Sequence, residues 1–276
     1  MSKLALITGV SRNIGKSICT KFIEQGYCVI GTYNTSEDSA KELRQRFPQL
    51  ELFQVDFCST EQTSEFIKKM KKYHFDVIVN NAGTMNCTDD GDIVHEYREF
   101  NIENFEAVMR CNFYAPLRIC IELQDNINEG GSIINIASTD GMQATYASLS
   151  YSASKAALIN LTASLSNSFY PQNKVRINSV SPGWIMADED SGMGSDENSA
   201  GGKAGVLAPI GRNGKTQEIA NIVYALTTSD LFLINGTNIV ADGGFANHDV
   251  IYFEEATGVS MLRDISEIKK DMERKR

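Results

Sequence analysis

Short apolar segments alternate along this chain with segments of helical periodicity, and this alternation constrains the fold more than any other feature. The apolar segments predict strands near 3–8, 27–32, 51–55, 76–79, 131–137, 174–180 and 237–241. The segments between them predict helices near 14–25, 37–46, 61–72, 103–125, 150–168 and 215–228. Because crossovers between parallel strands are right-handed, such alternation gives a doubly wound α/β fold, a parallel sheet between two layers of helices.

A glycine turn joins the first strand to the first helix. Strand, glycine turn and helix together aim backbone N–H groups at a pyrophosphate, so we expect a Rossmann-type dinucleotide site. The middle glycine of the usual fingerprint is replaced here by Asn13. Asparagine reaches left-handed backbone angles more readily than most residues, which lets the loop keep its shape. The loop residues predicted to contact the cofactor are Gly9, Ser11, Arg12, Asn13, Ile14 and Gly15.

Tyr151 and Lys155 stand four residues apart, and Ser138 lies thirteen residues before the tyrosine. In a helix the tyrosine and lysine side chains leave one face. A neighbouring ammonium group favours the phenolate, so we expect Lys155 to lower the pKa of Tyr151 from about 10. Such a phenol exchanges protons near neutral pH, and a hydroxyl can hold the reacting oxygen. These groups suit the interconversion of an alcohol and a ketone when a cofactor carries hydride.

The same spacing recurs at Tyr170 and Lys174. Pro171 follows that tyrosine directly, so we expect no helix to run through the pair. A solvated helix pair is the ordinary interpretation of one Tyr-x-x-x-Lys, and only the surrounding motifs favour a catalytic role for Tyr151.

With these motifs the chain resembles the short-chain dehydrogenase/reductase family over roughly residues 3 to 246. Further segments match the family in order along the chain. They are Asn80-Asn81-Ala82-Gly83, Asn112, Ser138, Pro182-Gly183 and Ala241-Asp242-Gly243-Gly244. The departures are Asn13 and the tail after Gly244.

The resemblance implies an oxidoreductase that moves hydride between a nicotinamide cofactor and a carbonyl or secondary alcohol. It implies that Tyr151 donates the proton, that Ser138 orients the oxygen and that Lys155 binds the nicotinamide ribose. Asn112 would hold a water that links Lys155 to solvent. Alternatively, Ser138 is an ordinary strand-end serine and Asn112 packs within a helix.

The resemblance also implies the remaining contacts. Asp56 is similar to the residue that contacts adenine, although a helix N-cap is its alternative role. The further cofactor contacts are Asn34, Asp56, Phe57, Asn81, Ala82, Gly83, Tyr151, Lys155, Pro182, Gly183 and Ile185. The substrate contacts are Ser138, Met142, Gln143, Tyr151 and Trp184.

The choice between NADP(H) and NAD(H) is a question of charge. A site that prefers NAD places an acid at the end of the second strand, on the ribose 2′-hydroxyl. Here no acid occurs there until Glu37, and the resemblance places Arg12 against a 2′-phosphate. We expect NADP(H), with NAD(H) as the alternative and a surface arginine as the alternative for Arg12.

Length, composition and charge limit the domain organisation, the location and the partners that we expect for this chain. With 276 residues, 42% of them hydrophobic, the chain suits one domain, which we expect at 1–246 with an extension at 247–276. No apolar run approaches the roughly 20 residues of a membrane span, and the start lacks a signal peptide, so we expect a cytoplasmic protein. The net charge of −9 argues against nucleic acid or an anionic membrane as partner.

The cysteines and histidines give no metal-ligand pattern. The six cysteines contain no Cys-x-x-Cys pair, and the three histidines are isolated, so we expect free thiols and no metal site. The residues are Cys19, Cys28, Cys58, Cys87, Cys111, Cys120, His74, His95 and His248.

Two segments are predicted to cover the substrate and to form a subunit interface. Residues from about 186 to 210 are rich in Gly, Ser and acids, and are predicted to form a lid over a small-molecule substrate; a disordered insert without a catalytic part is the alternative. Sugars, steroids, acyl thioesters and small ketones all remain open. The tail has an amphipathic pattern between Met261 and Met272, and we hypothesise that it adds an interface in a homodimer or homotetramer.

Two other classes of function stay open. The fold could bind NADP(H) as a sensor or scaffold without turnover, although such a protein has no use for the whole catalytic set. An epimerase or dehydratase of the extended relatives also keeps Tyr-x-x-x-Lys, but their longer C-terminal substrate domain is absent from this sequence.

Overall fold

The strands of the computed structural model form one large parallel sheet and one small ribbon. The model describes residues 2–85, 101–143, 149–186 and 208–247. The strands are β1 (Leu4–Ile7), β2 (Cys28–Tyr33), β3 (Glu51–Gln54), β4 (Phe75–Asn80), β5 (Ile127–Ile136), β6 (Arg176–Pro182), β7 (Ile185–Met186), β8 (Gly214–Lys215) and β9 (Asn238–Ala241). The seven-stranded sheet has the order β3-β2-β1-β4-β5-β6-β9, and β7 pairs with β8.

Helices cover both faces of the large sheet. They are α1 (Asn13–Glu24), α2 (Glu37–Arg46), α3 (Thr60–Met70), α4 (Ile102–Met109), α5 (Ala115–Glu122), α6 (Leu149–Asn173) and α7 (Thr216–Leu226). A π-helical turn, Arg110–Tyr114, joins α4 to α5. This is the three-layer Rossmann-type arrangement that the alternation predicted.

The core lies in two layers because neighbouring strand residues point to opposite faces. In β1, Ala5 and Ile7 join the layer under α1 and α7, while Leu6 joins the layer under α3, α5 and α6. Such strands, buried on both faces, are typical of parallel sheets. The order of the strands reverses between β1 and β4, and ligands of doubly wound sheets bind at that point, outside the carboxyl ends of the strands.

Three of the predicted elements differ from the structure. Strand β5 begins at Ile127, because an irregularity in its pairing with β4 lets Phe75 pair with Ile127 before the regular register starts at Val77. The helix predicted at 103–125 contains the π-turn. The expectation that no helix runs through Tyr170 and Pro171 is wrong: α6 continues to Asn173.

The position of Pro171 explains that error. It lies in the last turn of α6, so its missing N–H removes one helical bond near an end where few bonds follow. The N–H of Lys174 still bonds the carbonyl of Tyr170 at 2.9 Å, and Lys174 then leaves the helix with a φ of 58°.

Several predictions fall outside the described residues. These include most of the lid (187–207), the tail from 248 onward, and Cys87, His95 and His248. Among the described helices, none combines the length and apolar character that a membrane crossing requires.

Candidate active site

The glycine turn after β1 has the shape that the sequence predicted. Gly9 has a φ of 73° and Asn13 a φ of 49°, both in the left-handed region. The expectation that asparagine takes the place of the middle glycine is therefore confirmed in backbone geometry. The N–H of Gly9 donates to Thr32 Oγ1 at 3.0 Å, which ties the turn to β2.

Close packing explains the two glycines of this turn. A Cβ on Gly15 would collide with the carbonyl oxygen of Gly9, so α1 approaches β1 only because residue 15 has no side chain. Asn81, after β4, donates from Nδ2 to the carbonyls of Thr8 and Gly9, at 2.9 and 3.0 Å. The loops after β1 and β4 thus form one rigid edge beside the switch point.

The charges at this edge suit a dinucleotide phosphate. The first turn of α1 contains no acidic residue, so no carboxylate of that turn competes with an anion for its N–H groups. Arg12 is exposed at the N-cap of α1. Asn34 is exposed just after β2, where an NAD site usually has an acid.

The loop after β3 holds Asp56 in place. The Cys58 N–H donates to Asp56 Oδ1 at 2.9 Å, and the Asp56 N–H donates to Gln62 Oε1 at 3.0 Å. Burial raises the pKa of the Asp56 carboxyl. The alternative role of Asp56 as an N-cap is wrong, because Ser59 caps α3 by accepting from the Gln62 N–H.

Ser138 and Tyr151 lie together after β5. The phenol of Tyr151 is hydrogen-bonded to the side chain of Ser138. Ser138 Oγ also accepts from the Asp140 N–H at 3.1 Å, which leaves its hydroxyl hydrogen for an oxygen on the Tyr151 side. The pair can therefore hold one substrate oxygen between two hydroxyl groups.

The expected effect of Lys155 on Tyr151 is not found. The pKa of Tyr151 is raised to about 12, chiefly by burial; the Ser138 bond lowers it in part, and the nearby Asp140 carboxylate adds to the rise. Burial also lowers the pKa of Lys155 to about 8. Desolvation of both groups, which the packing of α6 determines, therefore outweighs the effect that the ammonium charge alone would have.

The amino group of Lys155 forms a hydrogen bond with the main chain of β5. Its Nζ donates to the carbonyl of Ile136 at 2.8 Å, and the residue is only 3% exposed. The Nζ lies 5.4 Å from the centre of the Tyr151 ring. Lysine and tyrosine thus share one face of α6, as their spacing predicted, and both face the carboxyl end of β5.

Asn112 lies in the π-turn and is completely buried. Its Oδ1 accepts from the Thr84 N–H at 2.9 Å, and its Nδ2 donates to the carbonyl of Thr84 and to Ser154 Oγ, at 2.8 and 3.0 Å. Both amide hydrogens are used, whereas Oδ1 keeps a second lone pair. The turn therefore joins the segment after β4 to α6.

Gly83 lies beside both Asn112 and Lys155. A Cβ placed on Gly83 would lie 3.3 Å from Asn112 Oδ1 and 3.3 Å from Lys155 Nζ. A side chain at residue 83 would therefore crowd both polar atoms, and glycine lets them face the same stretch of backbone.

The remaining predicted residues lie at the same edge or just beyond it. Pro182 ends β6, and Gly183 donates its N–H to the Ala241 carbonyl at 3.1 Å. Ile185 pairs with Gly214 in the small ribbon. Phe57 and Ala82 border one small recess under the edge. Among the predicted substrate residues, Gln143 is exposed to solvent, and so is Trp184, with 47% of its surface exposed. Met142 lies near β9, with its Sδ 3.5 Å from Asn238 Nδ2.

Sequence reasoning missed the groups that support this site. Asp140 could have been noticed two residues after Ser138, whereas the roles of Ile136, Thr84 and Ser154 depend on tertiary contacts. Within the described residues, no cluster of His, Cys, Asp and Glu could hold a metal ion.

Comparison with known proteins gives consistent matches. A family model described as enoyl-(acyl carrier protein) reductase matches residues 9–246. The chain is 32% identical to the 3-oxoacyl-[acyl-carrier-protein] reductase FabG of Salmonella typhimurium, covering 88% of this chain and 96% of that protein. It is 30% identical to the cyclic-di-GMP-binding biofilm dispersal mediator protein of Escherichia coli, covering 88% of this chain and 97% of that protein.

A solved structure agrees with the fold. The crystal structure of BdcA in complex with NADPH superimposes with a TM-score of 0.76 at 28% sequence identity. The match covers 88% of this chain and 94% of that chain.

Proposed function

Because the chain belongs to the short-chain dehydrogenase/reductase family, we propose that it is an NADP(H)-dependent oxidoreductase that interconverts a carbonyl and a secondary alcohol. The observation that carries this proposal is the pairing of Ser138 with Tyr151 on the sheet edge that also bears the glycine turn. A dinucleotide lying along that edge, from Asp56 to Pro182, brings its nicotinamide end to the catalytic side chains. The cofactor supplies or removes hydride there.

Tyr151 is the general acid in the reductive direction. With a pKa raised to about 12, its phenol is protonated at neutral pH and can donate a proton to a carbonyl oxygen. The Ser138 hydroxyl donates to the same oxygen and stabilises the negative charge that develops on it. The proton lost from Tyr151 must then be replaced from solvent.

Lys155 and Asn112 provide the route for that proton. Lys155, with a pKa near 8, still carries its proton at neutral pH and can bind the hydroxyls of the nicotinamide ribose. We place a water near Gly83, within reach of Asn112 Oδ1 and Lys155 Nζ, because both polar atoms face this one glycine. The side chains thus form a relay from solvent through Lys155 to Tyr151.

The charges near α1 and β2 favour NADP(H) over NAD(H). Arg12 is exposed at the surface, where it can meet a 2′-phosphate, and Asn34 adds no negative charge that would repel that phosphate. In an NAD site a carboxylate at the end of β2 would accept from the ribose 2′-hydroxyl. The NADPH in the BdcA crystal structure is consistent with this choice.

The substrate is a small molecule that enters beside Gln143 and Trp184, with residues 186–210 as its lid and residues 247–276 as an extension of the 1–246 domain. We further propose a homodimer or homotetramer. The exposed apolar side chains of Tyr114 and Ile121, on the π-turn and α5, suit burial against a second copy.

A second candidate is a nucleotide sensor without turnover. The name of the Escherichia coli relative, a cyclic-di-GMP-binding mediator, favours it. The test is the loss of NADPH absorbance with a panel of sugars, steroids, acyl thioesters and small ketones, repeated with Tyr151→Phe. Tyrosine-dependent consumption with any substrate supports the enzyme, whereas tight NADPH binding without consumption across the panel supports the sensor.

A further inference from the structure

The π-turn makes different contacts through three successive residues. Arg110 Nε donates to the carbonyl of Cys58 at 2.8 Å, in the loop after β3. Cys111 is buried near Lys155. Asn112 holds Thr84 and Ser154. One short segment therefore contacts both the loop proposed for adenine and the helix that carries Tyr151.

We infer that Arg110 is a positioning residue for the adenine end of the cofactor, an inference that rests on the proposed function. Asp56, the proposed adenine contact, lies two residues before Cys58 and accepts the Cys58 N–H. Arg110 holds the carbonyl of the same residue, so Cys58 is fixed from both sides. The positive charge of Arg110 also acts on the Asp56 carboxyl and lowers its pKa, against the larger effect of burial.

A second set of contacts holds the same loop. Phe57 is 5% exposed and lies in the same apolar layer as Cys111 of the π-turn, and both side chains border one small recess. The loop is therefore held by packing under Phe57 and by one charged donor at Cys58. Burial of Phe57 holds the loop against the apolar layer. The Arg110 bond orients the backbone of the loop, which presents Asp56.

Arg110 and Asn112 belong to the same π-turn. The Ala115 N–H bonds to the carbonyl of Arg110, five residues earlier, which marks the extra residue of a π-turn. Because both Arg110 and Asn112 belong to this one turn, cofactor binding at Asp56 and the position of Asn112 depend on the same backbone.

Two substitutions separate the hydrogen bond from charge and volume. In Arg110→Gln the amide Nε2 takes the chain position of arginine Nε, so a donor remains without the charge. In Arg110→Met the volume remains without a donor. Both substitutions also remove the ion pair between Arg110 and Glu106, whose charged atoms are 3.7 Å apart and largely exposed. Glu106→Ala removes that ion pair alone and serves as its control.

The measurement is calorimetric titration with adenosine 2′,5′-bisphosphate and with NADPH. Arg110→Met should weaken both by about tenfold, the usual effect of losing a hydrogen bond from a charged donor. Arg110→Gln should stay within about threefold of wild type, because a neutral donor keeps part of that bond. Glu106→Ala should bind like wild type. In steady state, the methionine variant should raise KM for NADPH much more than it lowers kcat.

The outcomes are distinct. If the wild type binds both ligands and Arg110→Met binds them as tightly as Arg110→Gln does, the positioning role is wrong. The proposed function then still stands. If the wild type binds neither ligand, the proposed function fails and the inference fails with it. Melting temperatures check folding. Should Arg110→Met not fold, Arg110→Leu, which also lacks both the donor and the charge, makes the same comparison.

Discussion

Lys155 Nζ lies 5.4 Å from the centre of the Tyr151 ring and donates its hydrogen bond to the carbonyl of Ile136. Its charge therefore lies over the ring, and its direct bond goes to the main chain of β5. Both side chains are in surroundings that disfavour charge, which raises the pKa of the phenol and lowers the pKa of the amine. This arrangement suits a neutral phenol that donates a proton more than a phenolate that removes one.

Burial of Lys155 should cost stability in a pH-dependent way. Its pKa is about 8 in the folded chain, against about 10.4 when exposed, so below about pH 8 the folded state holds a charge that it disfavours. The penalty, on the order of 3 kcal/mol at most, disappears as the pH rises from about 8 to about 10. Lys155→Met should therefore raise the melting temperature at neutral pH, and the difference should shrink by about pH 10.

The control for that measurement is Lys68→Met, because Lys68 is exposed on α3. Its effect on the melting temperature should be small and nearly independent of pH. A Lys155→Met effect equally independent of pH would contradict the lowered pKa.

A methyl group on Gly83 should block the proposed relay. Gly83→Ala places a Cβ 3.3 Å from both Asn112 Oδ1 and Lys155 Nζ, so the methyl group would crowd the two atoms and displace the proposed water. We expect kcat to fall by about tenfold or more, the lower range of acid–base contributions, with little change in melting temperature. Gly26→Ala gives the opposite pattern: its φ of 85° strains an alanine far from the site, so the melting temperature should fall while kcat stays unchanged. Unchanged kcat in Gly83→Ala would remove the water from the mechanism.

The left-handed Asn13 gives a prediction about the glycine turn. Its φ of 49° is a conformation that costs most residues about 1 kcal/mol or more. Asn13→Gly should therefore bind NADPH at least as well as wild type, and Asn13→Ala should bind more weakly and melt at a lower temperature. Fluorescence titration with NADPH and thermal denaturation measure both. Equal behaviour of the two variants would mean that the turn tolerates another shape.

Cofactor preference should depend on Arg12 and Asn34. Arg12→Ser should reduce kcat/KM for NADPH by about tenfold, the effect of losing one charged hydrogen bond, and leave NADH nearly unchanged. Asn34→Asp should shift the preference further toward NADH, because a carboxylate repels the 2′-phosphate and accepts from a 2′-hydroxyl. Arg44→Ser, an exposed position on α2, controls for net charge. Equal losses with both cofactors in Arg12→Ser would contradict the assignment.

The sequence predicted the sheet because its strands are short apolar segments separated by helical periodicity. It also predicted the glycine turn and the shared face of Tyr151 and Lys155, since these follow from local spacing. Strand β5 starts earlier than predicted because Asn128–Gly131 looks like a loop, and only pairing with β4 makes its first residue a strand. The position at which β5 begins therefore depends on tertiary pairing with β4.

The parts of the site that sequence reasoning could not supply all depend on contacts between distant residues. The π-turn accompanies bonds from Asn112 to Thr84 and Ser154, which lie 28 and 42 positions away. The pKa of Tyr151 depends on how deeply α6 buries the phenol, and no spacing along the chain gives that depth.

The central claim is that Tyr151 supplies the proton for carbonyl reduction. Tyr170 offers a matched control, because it has the same spacing to a lysine but lies at the far end of α6, where it packs on Phe232. The decisive measurement is the turnover of Tyr151→Phe and Tyr170→Phe with NADPH and a carbonyl substrate, with NADPH affinity measured in parallel. We expect Tyr151→Phe to bind NADPH and to lose about 100-fold or more in turnover, and Tyr170→Phe to stay near wild type. Turnover near wild type in Tyr151→Phe would contradict the account.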